Sequence, residues 1–152
     1  MDIDAAKAYD KYADELIRFA TVLVGASVAE DVMAAALTRV LTRPGWAELE
    51  DLRAYLYRCI TNEAMSQHRS TQARLRRELN AARMAGEDRS GFVRVEVIDA
   101  MLHLSIRQRA VVYLTYWHDL DASMIATQLE VSVRTVEREL TRARRSLEVL
   151  LR

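Results

Sequence analysis

The chain has one cysteine, one proline and four glycines among 152 residues. A lone cysteine cannot form an internal disulfide, which fits a reducing compartment. Cys59 falls within an apolar stripe and reads as a buried structural thiol. So few prolines and glycines leave little to interrupt a helix. The three histidines, His68, His103 and His118, show no ligand spacing to one another or to Cys59. Metal sites need clustered ligands, so neither a metal nor a cofactor is expected. No apolar run reaches the roughly 18 residues of a membrane span. The amino terminus is acidic at Asp2 and Asp4, unlike a signal peptide. A cytoplasmic protein without membrane insertion is expected. No nucleophile–base pair or carboxylate constellation is legible, so an enzyme is not expected. The 22 basic and 22 acidic residues cancel, so no long-range field of one sign covers the chain.

What is present is helical periodicity and an uneven charge distribution. Residues 1–50 carry five basic and nine acidic groups, residues 51–80 six and three, residues 81–130 five and seven, and residues 131–152 six and three. Two basic segments flanked by acidic ones suggest two separate contacts with a polyanion. A first helix is predicted from Asp4 to Val24, with Tyr9, Tyr12, Leu16, Phe19, Ala20 and Leu23 on one face. Gly25-Ala26-Ser27 breaks it. A second helix, from about Val28 to Thr42, is apolar nearly all round, as a helix central to a core would be. Pro44-Gly45 ends it, and Trp46 follows in a loop. A third helix opens near Glu50, with Leu52, Tyr55, Leu56, Cys59, Ile60 and Ala64 as its stripe. It fades into a basic extension at Arg69, Arg74, Arg76 and Arg77. Residues 80–93 lose periodicity and read as a flexible linker. Periodicity returns at Val95, Ile98, Met101 and Leu102. Ser105-Ile106-Arg107-Gln108 has the form of a capping box opening a helix through Trp117. The expectation is an all-α protein of two small helical domains, residues 1–79 and 94–152, moving independently about the linker.

The carboxy-terminal segment is the most specific. Ala122 to Leu129 makes a short helix, Glu130-Val131-Ser132 a turn, and Val133 onward a basic helix. This is the outline of a helix-turn-helix, whose second helix enters the DNA major groove. Asp121 and Ser132 precede the two helices and can cap their free amides. Val133, Val136, Leu140, Ala143 and Leu147 share a predicted buried face. Arg134, Glu137, Arg138, Thr141, Arg142 and Arg145 lie opposite. A charged helix face is often only solvated, but six arginines against three glutamates in residues 131–152 favour DNA.

These residues resemble the extracytoplasmic-function (ECF) sigma factors of the bacterial sigma-70 family over nearly the whole chain. Leu104 to Val112, Asp121 to Leu129, Ser132 to Val136 and Arg142 to Leu147 look like the family's fourth region, which binds the −35 promoter element. The resemblance, with the basic face, implies that Arg134, Thr135, Glu137, Arg138, Thr141, Arg142 and Arg145 meet −35 DNA. Ala29-Glu30-Asp31-Val32 resembles the acidic opening of the helix that docks on the polymerase clamp, implying that Asp31 and Arg39 bind core RNA polymerase. Arg53 to Arg58 and Asn62 resemble the helix that melts and holds the −10 element. An opened strand needs aromatic surfaces beside a basic groove. Trp46, Arg53, Tyr55, Tyr57, Arg58 and Asn62 are therefore the expected −10 set, although the apolar stripe gives Tyr55 an equal claim to the core. The implied partners are core RNA polymerase, promoter DNA and an anti-sigma factor.

The chain departs from the family at chosen places. Met33-Ala34-Ala35-Ala36-Leu37 stands where a glutamine, a glutamate and an aromatic are usual, Tyr55 where tryptophan is common, and Glu137 at a position often basic. Glu130 replaces a turn glycine, and a positive φ there would cost about 1 kcal/mol. Two other readings remain open. One is a sigma mimic that binds only an anti-sigma factor. The other is a stand-alone helix-turn-helix regulator, against which the amino-terminal half argues by showing no pocket signature or dimer helix.

Overall fold

A computed structural model describes residues 3–67 and 99–151, with a few positions between them. Six α-helices of the described residues order the chain: α1 Ile3–Val24, α2 Ala26–Thr42, α3 Leu52–Ser66, α4 Ile106–Tyr116, α5 Ala122–Leu129 and α6 Val133–Leu150, with a 3-10 turn at Trp46–Glu48. The expected basic extension falls partly on Arg69 and Arg74, which lie outside the described residues, as do Val95, Ile98 and most of the 80–93 linker.

Local chemistry sets the helix boundaries. Gly25 takes φ 85° between α1 and α2, a conformation that L side chains resist. It also leaves α2 without a capping side chain. Glu78 supplies one from a distance, its carboxylate accepting from the Ala26 and Ser27 amides at 2.9 and 3.0 Å. A negative charge at a helix amino terminus also meets the positive end of the helix dipole. Asp51 caps α3 by accepting from the Ala54 amide. The expected capping box is formed: Ser105 Oγ accepts from Gln108 N at 3.1 Å, and Gln108 Oε1 accepts from Ser105 N at 3.1 Å. Asp121 and Ser132 cap α5 and α6 as their positions suggest.

The two halves do not stand apart. A continuous core joins Leu16, Phe19, Ala20 and Leu23 of α1 and Leu56, Tyr57 and Ile60 of α3 to Ile106, Ala110, Tyr113 and Leu114 of α4 and Ile125 and Leu129 of α5. Phe19 bridges them in rings, 4.7 Å from Tyr57 and 5.6 Å from Tyr113. Independent motion was expected from the polarity of the linker. The faces that hold the halves together lie instead in the helices, where an apolar stripe does not name its partner.

Arg109 is wholly buried, and among the described residues no carboxylate pairs with it. Its Nε donates to Met101 O at 3.0 Å, Nη2 to Leu104 O at 3.0 Å and Nη1 to Leu23 O at 2.7 Å. The last bond crosses from one half to the carboxy-terminal turn of α1, where carbonyls lack helical donors. Burial lowers the guanidinium to about 10, still far above neutral pH. A buried charge is tolerated when hydrogen-bonded in this way.

Two side chains depart from the expected faces. Tyr9 is half exposed, and so is Val133, which opens α6 a turn before Val136 reaches the core. Val136 and Ala143 are buried, with Leu140 and Leu147 packed beside them.

Replacing Arg109 with methionine should remove the side-chain donor from the Leu23 and Leu104 carbonyls, while Met101 O keeps the Leu104 amide at 3.0 Å. At about 1 kcal/mol or more for each of the two unmet groups, stability should fall by about 2 kcal/mol or more, read by chemical denaturation. A loss under about 1 kcal/mol would mean that water replaces the guanidinium.

Candidate nucleic-acid interface

The helix-turn-helix is built from α5 and α6. Glu130 ends α5 in the left-handed conformation, φ 57° and ψ 49°, the strain foreseen for this position. Its amide closes the helix on the Ala126 and Thr127 carbonyls. Ser132 then starts α6, accepting from the Thr135 amide at 3.0 Å.

Along α6, Arg134, Glu137, Arg138, Thr141, Arg142 and Arg145 are all exposed, and Thr135 is half-buried beside the cap. Their face is opposite Val136 and Ala143, which meet the core. Arg138 and Arg142 come within 3.9 and 3.7 Å of Glu139 Oε1, an open geometry that leaves both guanidinium groups facing solvent. Arg144 differs from its neighbours. Its Nε donates to the Tyr116 hydroxyl of α4 at 2.8 Å, so it braces the helix against the domain.

The second constellation lies on α3. Tyr55 is half-buried, with the Arg43 guanidinium 4.9 Å and the Arg58 guanidinium 4.6 Å from its ring centroid. Such contacts pair a cation with the negative face of the ring. Arg43 was missed in the sequence, since it sits before Pro44, outside any helical face. Trp46 is half-buried nearby in the 3-10 turn, and Asn62 is exposed further along α3.

Tyr57 and Arg53 are placed differently. Tyr57 is fully buried. Its hydroxyl donates to Glu15 Oε2 at 2.7 Å. Arg53 forms a bidentate pair with the same carboxylate, at 2.7 Å for Nη2 and 3.0 Å for Nε. Burial alone would raise the Glu15 carboxyl. The hydrogen bonds from Arg53 and Tyr57 outweigh it and hold the group below the ordinary carboxylate range. Burial, reinforced by that carboxylate, pushes the Tyr57 hydroxyl well up. His118 joins from the other half, its Nδ1 3.2 Å from Arg53 Nη2 and its Nε2 3.4 Å from the Tyr57 hydroxyl. Arg58 is also engaged across the halves, its Nη1 2.8 Å from Glu130 Oε2.

On α2, Asp31 and Arg39 are exposed. Arg39 lies 3.3 Å from Glu63 of α3. Cys59 is half-buried, and burial pushes its thiol up, away from the reactive thiolate. Among the described residues no cluster of ligands could hold a metal, and no helix is long and apolar enough to cross a membrane.

The comparisons with known proteins agree with this arrangement. The Sigma-70 region 2 family matches residues 8–74, and the Sigma-70 region 4 family matches residues 94–147. The chain belongs to the ECF sigma factors of the sigma-70 family. It is 30% identical over 154 aligned positions to the ECF RNA polymerase sigma factor SigL of Mycobacterium tuberculosis, found alike in three strains. That alignment covers 94% of this chain and 86% of the relative. In this ECF sigma factor, region 2 supplies α1 to α3, and region 4 supplies α4 to α6.

The His118 contacts should make the packing of the two regions against each other sensitive to pH. Burial, then the neighbouring Arg53, lowers the imidazole below its ordinary value, with Glu15 opposing and Arg18 adding to the effect. The closed form therefore favours neutral His118, and its contribution is present above about pH 6.5 and is lost as pH falls below it. Fluorescence transfer between dyes on Asp10→Cys and Glu148→Cys, with Cys59→Ala, should report a looser chain at pH 5.5 than at 7.5. His118→Gln should flatten that change; an unaltered profile would assign it elsewhere.

Proposed function

We propose that this ECF sigma factor is a dissociable, non-enzymatic subunit of a cytoplasmic polymerase that directs transcription initiation from a set of promoters. It binds core RNA polymerase, recognises −10 and −35 elements, and is restrained by an anti-sigma factor. The observation that carries the reading is the solvent-facing side of α6, with Arg134, Arg138, Arg142 and Arg145 exposed on a capped helix-turn-helix. A mimic that only sequesters an anti-sigma factor would not need that face. A stand-alone regulator would not need region 2.

Division of labour follows from chemistry. Duplex is read at base edges, where an arginine forks onto guanine. Arg134, Thr135, Glu137, Arg138, Thr141, Arg142 and Arg145 are the proposed −35 contacts. The opened −10 strand is held by stacking and a basic groove. Trp46, Tyr55, Arg58 and Asn62, with Arg43 added, form that surface. Arg53 and Tyr57 belong to it through Glu15, which fixes them beneath it. Asp31 and Arg39 are the proposed polymerase contacts on α2, whose Ala34 and Thr38 are also exposed.

Transcription in vitro with core polymerase and a genomic promoter library tests the whole reading; no specific transcript would overturn it. Two substitutions divide it. Asp31→Ala with Arg39→Ala should weaken capture of core enzyme while leaving duplex binding intact, and undiminished capture would remove α2 from that interface. Arg138→Ala should lower affinity for the preferred −35 duplex by about 1–3 kcal/mol while barely affecting mismatched ones. An equal loss on every duplex would make Arg138 a phosphate contact.

A further inference from the structure

Two acids stand among the arginines in the middle of α6, and they are placed differently. The Glu139 side chain is only 12% exposed, and it is the acid that the arginines approach, Arg138 at 3.9 Å and Arg142 at 3.7 Å. Glu137 is exposed on the outer face. Among the described residues no ion pair reaches it, although Arg134 lies one turn before it and Arg138 directly after it. On a merely solvated helix face, an acid three or four positions from an arginine gains by pairing with it. Thr141, one turn further on, gives its hydroxyl proton to the Glu137 main-chain carbonyl at 2.8 Å and so does not engage the carboxylate. Both carboxylate oxygens are left to face whatever α6 meets.

An ionised carboxylate only accepts hydrogen bonds. In the major groove guanine offers two acceptors, and thymine offers an acceptor and a methyl group, so neither suits it. Adenine has an amino donor, but the N7 acceptor beside it opposes the second carboxylate oxygen. Cytosine presents its N4 amino donor without that neighbour. We propose that Glu137 selects a cytosine in the −35 element by accepting from its N4 amino group. The assignment rests on the −35 reading of α6 and adds the base that one position of the element requires. Arg134 and Arg138 are one turn apart, about 6 Å along the axis, close to two base-pair steps of about 3.4 Å. Glu137 lies between them, so the cytosine falls within or beside the stretch that they meet. At any other base the acid faces only acceptors and phosphates. It discriminates by repulsion from the wrong duplex as much as by attraction to the right one.

The full-length wild type, Glu137→Gln and Glu137→Ala are each incubated with a duplex library of random central sequence, and the bound fraction is sequenced. The wild type should favour cytosine at one position of its selected site by about five- to tenfold. A glutamine amide fits adenine N6 and N7, so Glu137→Gln should move the preference at that position to adenine and leave the other positions unchanged. Glu137→Ala should flatten that position alone. A second probe leaves the protein unaltered: the selected duplex is made with 2-pyrimidinone in place of that cytosine, which removes the amino group. Wild-type binding should fall by the same factor, whereas Glu137→Ala should bind both duplexes alike. If both variants bind every duplex more tightly and select the wild-type sequence, Glu137 only dilutes charge, and the assignment is overturned while the −35 reading stands. Equal wild-type binding of the two synthetic duplexes would overturn it in the same way. If the wild type selects no sequence at all, α6 does not read bases, and the −35 reading fails together with the role of Glu137.

Discussion

A guanidinium held by three backbone carbonyls organises this molecule. Arg109 sits at the crossing of α1, α4 and the turn before α4, and its hydrogen bonds reach carbonyls at Leu23, Met101 and Leu104. Burying a charge is unfavourable unless its donors are met. Here they are met only if the end of α1 lies where Leu23 O can be reached. The bond therefore fixes region 2 against region 4 by direction, while Phe19, Tyr57 and Tyr113 supply the apolar area. Removing the direction would leave an apolar contact free to slide, because hydrophobic burial is itself non-directional.

Around this fixed point the polar side-chain contacts between the regions, among the described residues, share one property. Each takes a residue expected at the −10 strand and gives it an internal partner. Arg53 and Tyr57 meet His118, and Arg58 meets Glu130. An exposed ion pair of the last kind contributes less than about 1 kcal/mol. It cannot be what closes the molecule. Closure comes from the core and from Arg109.

Much of the fold was legible because helix caps and stripes are local. Ser105, Asp121 and Ser132 each sit at the start of a helix, and each accepts the amide expected of a cap. The left-handed turn at Glu130 was legible from the resemblance, which puts a glycine at that position. What escaped was long-range. Glu78 capping α2 from some fifty positions away leaves no spacing signal. Arg109 carries no spacing signal that marks it for burial, since the Leu23 carbonyl it reaches lies 86 positions away. Tyr57 lies off the apolar stripe read for α3 and so was placed on an aromatic and basic surface, whereas the Glu15 carboxylate that accepts from its buried hydroxyl lies on another helix. Val133 was misplaced by a single turn, where periodicity continues past the end of the partner surface.

The cost of Glu130 sharpens the reading of the rest. A left-handed non-glycine residue is disfavoured by about 1 kcal/mol, and the ion pair it makes returns no more than that. On stability alone the position is at best neutral, and a glycine would serve the turn better. Glu137 tells the same story on the outer face, an acid on a helix that otherwise presents arginines. An acid facing DNA repels phosphate everywhere and is repaid only opposite a cytosine amino group. Glu137 lowers the net positive charge of the α6 face and, with it, indiscriminate attraction to a polyanion. A chain of zero net charge that must find a few promoters among many duplexes depends on that restraint, since non-specific binding scales with the phosphates neutralised.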